Sequence, residues 1–269
     1  MVNKLYKHEF LAWLRVLPIF FGITLLTAGF HRILQLFESD SIYYNIINIS
    51  ALVLFFVSVM VSIAAPIVFG IIRFYKNLFT GEGYLTFTLP VKTTTHIWVK
   101  SLTTLTFCVG SAIVCFAAFC LITAGDVLAE LWNAGIFLLE KIPAKYAGHI
   151  AGYVAEGCVL LLIAMFATIM LYNSCLCIGQ LAKKNRILLS VGAYFGYYLL
   201  TQVVGTVFVI TFTILETTNA LVPIYRYINE HPLASIHQGL SVGILWYSLL
   251  SLVFFLVCRF ILRKKLNLE

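Results

Sequence analysis

Cysteine and histidine are the residues of this chain best suited to chemistry, and their spacing assembles no site. The seven cysteines, Cys108, Cys115, Cys120, Cys158, Cys175, Cys177 and Cys258, lie inside apolar runs. None forms a CxxC pair, and Cys175-Leu176-Cys177 does not match a zinc knuckle. They read as small apolar packing residues with no disulfide framework. The six histidines, His8, His31, His96, His149, His231 and His237, make no HExxH or CxxCH pattern. His231 and His237 share one connecting segment, which is too little for a metal site. No Ser-His-Asp or paired-carboxylate arrangement follows from the spacing. A GxxxxGK(S/T) phosphate loop is absent, and Gly81-Glu82-Gly83 does not extend to GxGxxG because position 86 is Thr. The expectation is no enzyme active site, no metal and no cofactor held by this chain.

Composition says where the remaining polar residues must sit. Of 269 residues, 61% are hydrophobic and 11% charged, and the mean hydropathy is +0.98. A soluble domain has roughly 25% charged and about 45–50% apolar residues, so this chain cannot make a soluble surface. A helix crossing the bilayer core needs about 20 mostly apolar residues. Runs of that length lie at Val16–Leu36, Ile46–Ile72, Ser101–Ala124, Gly157–Gln180, Leu188–Phe212 and Ser241–Leu262. Barrel strands would be about half as long and would alternate in polarity. The expected fold is an all-α polytopic membrane protein, one transmembrane domain over residues 1–269 with six spans. The net charge of +7 follows membrane orientation, not nucleic-acid binding, because the basic residues gather at the ends of apolar runs.

With both termini cytoplasmic, Lys4, Lys7, Arg15, Arg73, Lys76, Lys92, Lys100, Lys183, Lys184, Arg186, Arg259, Arg263, Lys264 and Lys265 all lie inside, 14 of the 18 basic residues. That asymmetry decides the topology. Of the acids, only Glu9, Glu82 and Glu269 fall inside. Ahead of the first span, Val2, Tyr6, Phe10, Trp13 and Leu17 recur every three or four residues, with Asn3, Lys4, Lys7 and His8 on another face. Residues 1–15 are therefore expected to form an amphipathic helix in the lipid interface, with Trp13 at headgroup depth. No cleaved signal is expected at this end. The outer segments Gly125–Glu156 and Leu215–Leu240 are long enough to hold short helices, broken by Pro143, Pro223 and Pro232.

The longest cytoplasmic segment, Arg73–Lys100, is too rich in Phe74, Tyr75, Leu78, Phe79, Tyr84, Leu85, Phe87 and Leu89 to be a solvated linker. Gly81 and Gly83 bracket Glu82 and favour a tight turn. Pro90 ends the segment, and Thr93-Thr94-Thr95 can cap the next helix. A rigid apolar element of this kind either docks a partner or packs on lipid.

The string Phe74-Tyr75-Lys76-Asn77-Leu78-Phe79-Thr80-Gly81-Glu82-Gly83-Tyr84-Leu85-Thr86-Phe87-Thr88-Leu89-Pro90-Val91 resembles a loop after the second span in permease subunits of type-2 ATP-binding-cassette (ABC) transporters of Gram-positive, clostridia-like bacteria. Gly81 stands where that family usually carries an acid. The generic layout agrees: an amphipathic N-terminal helix, six spans and a basic tail, Arg263-Lys264-Lys265. The resemblance implies a multi-pass plasma-membrane subunit forming half of an export pathway. It implies pairing with a second permease chain, identical or not, and docking of a separate ABC ATPase subunit, which carries the ATP-Mg. The docking residues it implies are Phe74, Tyr75, Lys76, Asn77, Leu78, Phe79, Glu82 and Tyr84.

Polar residues inside spans are costly and mark pathways or interhelical hydrogen bonds. The fifth run carries Tyr194, Tyr197, Tyr198, Thr201 and Gln202. The second carries Asn48, Ser50, Ser58 and Ser62, with a kink expected at Pro66, and the fourth carries Asn173 and Ser174. By the resemblance, Tyr198, Gln202, Asn48 and Ser62 line the route. Almost no charge lies deep in the bilayer, since Arg32 and Arg259 can snorkel. That disfavours an ion-coupled carrier. Gly192-xxx-Gly196 permits close helix approach, between permeases or within the chain. The expected cargo is amphipathic: a peptide, drug or lipid-like molecule. Two rivals remain, a non-transporting immunity or sensor component that binds an extracellular peptide, and an integral-membrane enzyme.

Overall fold

The computed structural model describes residues 2–37, 41–81, 83, 88, 91–123, 126–141, 148–182 and 184–264, and every regular element among them is helical. In order these are α1 (Val2–Trp13), α2 (Leu17–Gln35), α3 (Ile42–Phe79), α4 (Thr93–Ile122), α5 (Asp126–Lys141), α6 (Ile150–Gly179), α7 (Arg186–Thr217), α8 (Val222–Glu230) and α9 (Pro232–Lys264). Helices α2, α3, α4, α6, α7 and α9 are long and apolar enough to cross a membrane. The chain is thus an all-α, multi-pass membrane protein. Helices α3, α7 and α9 extend past their apolar runs at both ends, and α4 and α6 begin well before theirs. Most notably, Arg73–Phe79 and Thr93–Lys100, read from sequence as parts of one connecting segment, continue α3 and α4. The threonines do not cap: Lys92 occupies the N-cap position, no side chain caps the helix, and Thr93 is already helical. The two long segments expected from sequence on the outer side do hold helices, α5 and α8.

The described chain divides into two compact units, Met1–Leu78 with Leu85–Ile142, and Phe79–Tyr84 with Pro143–Glu269. In the first, α2, α3 and α4 close on a small apolar core of Ala28, Phe55, Val59, Cys115, Ala118 and Ile122. Hydroxyl bonds stitch the same helices together. Thr24 Oγ1 donates to the Ser58 carbonyl at 3.2 Å, and Thr27 and Ser58 share a hydrogen bond of 2.8 Å. Pro66 lies inside α3, which remains one helix from Ile42 to Phe79. Having no N–H, Pro66 leaves the carbonyl of Ser62, four residues earlier, without its helical partner. Ser111 Oγ on α4 donates to that carbonyl at 2.7 Å. The backbone defect thereby becomes an interhelical contact.

In the second unit α6 packs along both α9 and α7. Gly179 is required where α6 meets the start of α7, because a Cβ there would fall 1.8 Å from Ser190 Oγ and 2.5 Å from the Arg186 carbonyl oxygen. Gly243 of α9 gives similar room to Leu160. Rings also join the helices: Tyr197 of α7 meets Phe254 of α9 at 5.5 Å, and Tyr172 of α6 meets Tyr194 of α7 at 5.8 Å. After α7 the chain turns through Asn219 at φ 56°, and the Ala220 N–H bonds the Leu215 carbonyl at 2.9 Å. This left-handed stop is one that asparagine tolerates better than most residues.

Candidate functional site

The first unit gathers ionised side chains around Glu9. Helix α1 does not lie free in the interface. Its Trp13 is buried between Phe69 of α3, edge-on at 5.0 Å, and Phe107 of α4, stacked at 5.1 Å. Phe10 joins the same cluster and the Tyr6 hydroxyl bonds Thr106 at 3.0 Å. Gly70 makes room for this packing, since a Cβ there would come 2.9 Å from the Thr104 side chain and 3.4 Å from the Trp13 ring. Trp13 is thus an anchor into protein, where the sequence pattern suggested a place among headgroups. The opposite face, with Lys4, Lys7 and His8, is exposed as expected.

Docking α1 this way turns Glu9 inward. Arg73 of α3 donates to its Oε2 from Nε at 2.9 Å and from Nη2 at 2.5 Å. Lys100 of α4 donates to Oε1, and Asn77 Nδ2 lies 3.5 Å from the same oxygen. The Glu9 and Lys100 side chains are each 8% exposed, and Arg73 is 24% exposed. Burial by itself raises the carboxyl's pKa, but Lys100 and then Arg73 outweigh it and hold Glu9 below the ordinary glutamate value of 4.5. Three helices from distant parts of the sequence are therefore pinned by one carboxylate. Removing Glu9 would take this counter-charge from two cations at once, a loss larger than that of an exposed pair. Composition and periodicity placed Arg73, Lys100 and Glu9 on one side of the membrane but did not join them. The available signal was an acid in register with Tyr6 and Trp13, on the apolar face of an otherwise basic helix.

The expected docking residues occupy the end of α3 beside this knot. Phe74, Leu78 and Phe79 are buried, Tyr75 and Asn77 half-buried, and Lys76 exposed. Glu82 and Tyr84 lie outside the described residues, as does Lys265 of the basic tail. Of the expected pathway residues, Tyr198 and Gln202 sit one turn apart on exposed surface of α7. Asn48 and Ser62 belong to α3 in the first unit, Asn48 half-buried and Ser62 fully buried. Asn48 Oδ1 and Ser62 Oγ are both buried without a hydrogen-bond partner.

A second polar group went unread in the sequence. At the start of α6, His149, Tyr153 and Glu156 share one face, and His237 of α9 lies against them. Its Nδ1 is 2.8 and 2.9 Å from the two Glu156 oxygens, and its ring is 4.4 Å from that of Tyr153. This joins α6 to α9. Among the described residues, no three His, Cys, Asp or Glu side chains are arranged to hold a metal ion. Neither cluster presents a nucleophile with a base. What the Glu9 knot can do is mechanical: any displacement of the α3 end is shared with α1 and α4. Comparison with protein-family models, with curated proteins and with solved structures returns no match for this chain.

Proposed function

We propose that this chain is the membrane-embedded permease subunit of an ATP-driven ABC exporter, moving an amphipathic cargo across the plasma membrane while a separate ATPase subunit supplies the energy. The observation that carries the reading is the aromatic string 74–91 following the second span, in a chain with no phosphate-binding loop of its own. The architecture supports it in two ways. Helix α3 is continuous from Ile42 to Phe79, so a push on its basic end passes into a span without leaving the helix. The Glu9 knot ties that end to α1 and α4, so the push moves a group of helices together. The buried Phe74 and Leu78 fix the element to its own protein, and the contact surface for an ATPase falls to Tyr75 and Lys76.

The test is gentle purification of the chain co-expressed with its neighbouring genes. A stoichiometric ATPase is expected, released by the paired substitution Tyr75→Asp and Lys76→Glu while the melting temperature of the permease holds. A chain purified alone, with activity sensitive only to changes in the outer segments, would overturn the proposal and favour an immunity or sensor component.

A further inference from the structure

At its C-terminal end α9 buries one face and leaves the other open. Cys258, Ile261 and Leu262 turn inward and are at most 5% exposed, whereas Leu256, Arg259, Phe260 and Arg263 line an open groove of about 460 Å³. Arg259 and Arg263 are one helical turn apart, which brings two guanidinium groups to the same spot. Among the described residues neither has a hydrogen-bond or ion-pair partner, and no carboxylate is near. In this unit Glu156 is occupied by His237, some 22 residues back along α9, or about 33 Å at 1.5 Å per residue. Glu216 and Glu230 close α7 and α8, at the end of the unit remote from Arg186 and Arg263. Glu82 and Glu269 of this unit lie outside the described residues, and among the described residues no carboxylate offsets the two arginines.

Its other half is apolar. Leu256 and Leu252 continue the line of Phe260 one and two turns deeper into the span, and all three are about half exposed. An anion filling only the arginine end would leave this stripe unused. We propose that the groove binds one anionic phospholipid. The two guanidinium groups clasp its phosphate through paired N–H donors, and Phe260, Leu256 and Leu252 carry the upper acyl chain. Charge complementarity selects an anionic headgroup, and the apolar continuation selects a lipid over free phosphate. The site depends on the chain being in a membrane, not on the transporter reading.

The test is native mass spectrometry of the full chain released from detergent with phosphatidylglycerol or phosphatidylcholine. One phosphatidylglycerol should be retained in preference to phosphatidylcholine. Arg259→Gln with Arg263→Gln should weaken that retention by about tenfold or more. The pair Lys4→Gln and Lys7→Gln, which removes the same charge from α1, should leave it intact. Arg259→Lys with Arg263→Lys keeps the charge and should still bind more weakly than the native chain, as bidentate donation is lost. Equal weakening by the α1 and α9 glutamine pairs would reduce the site to bulk charge attraction and overturn the proposal. So would displacement of the lipid by inorganic phosphate at matched concentration, which would assign the groove to a free anion. Both arginines are exposed, and an unchanged melting temperature of each variant in neutral detergent would confirm that the binding readout reports the groove.

Discussion

Glu9 shows how one side chain can decide the placement of a whole helix. The rest of α1 is apolar on one face and basic on the other, a pattern that suits lipid as well as protein. The carboxylate breaks that ambivalence, because its charge can enter the apolar side only where Arg73 and Lys100 wait. Glu9→Gln should therefore release α1, at a cost of about 3 kcal/mol, read as faster amide hydrogen exchange over residues 2–13 than in the native chain. Acid should mimic the change. The folded carboxyl titrates below 4.5 and the unfolded one near it, so the stabilisation is complete above that value and fades as pH falls through the folded pKa. Protection of α1 should accordingly hold from neutral pH to about 5 and collapse only in stronger acid, with Glu9→Gln showing no such step. Protection already fading between pH 7 and 6 would mean that the carboxylate is not held by its two cations.

Among the elements, α3 and α4 show why a proline can persist in a membrane helix. In lipid an unsatisfied carbonyl has no water to turn to, so a neighbouring side chain must serve it. Ser111 does this for Ser62, the residue whose partner Pro66 removes. Ser111→Ala should cost about 1 kcal/mol in the native background. It should cost much less in Pro66→Ala, where the restored N–H serves the carbonyl from within α3. A double-mutant cycle on thermal unfolding in a fixed detergent reads the coupling directly. Additive effects would show that the Ser111 bond has no link to the proline. The expected kink at Pro66 was an inference from the missing N–H alone. The structure adds that the carbonyl it orphans is met by the next span, information that no local window of sequence contains.

At the scale of the molecule, the number and kind of spans could be read from sequence because hydropathy over about 20 residues is a local property. The helix ends could not, since Arg73–Phe79 and Thr93–Lys100 are held helical by packing and by the distant Glu9. The Glu156–His237 contact is equally non-local, its partners 81 residues apart. One feature legible as a pattern acquires sharper meaning with structure: Gly192 and Gly196. A Cβ added at either would meet nothing within 4 Å, so these glycines do not pack α7 against the other helices of its own unit. Of all α7 residues only Ser190 is buried. Lipid does not drive apolar helices together, and close approach of backbones at small residues is what does. If the chain pairs as proposed, the exposed face carrying Gly192, Phe195 and Gly196 is where a second copy should seat. A photo-reactive benzoylphenylalanine at position 195 should yield a crosslinked dimer in membranes. Gly192→Leu with Gly196→Leu should abolish that product without lowering the melting temperature of the single chain, because the added side chains enter open space. Crosslinks confined to lipid, or a dimer band indifferent to the two leucines, would move the pairing surface away from α7.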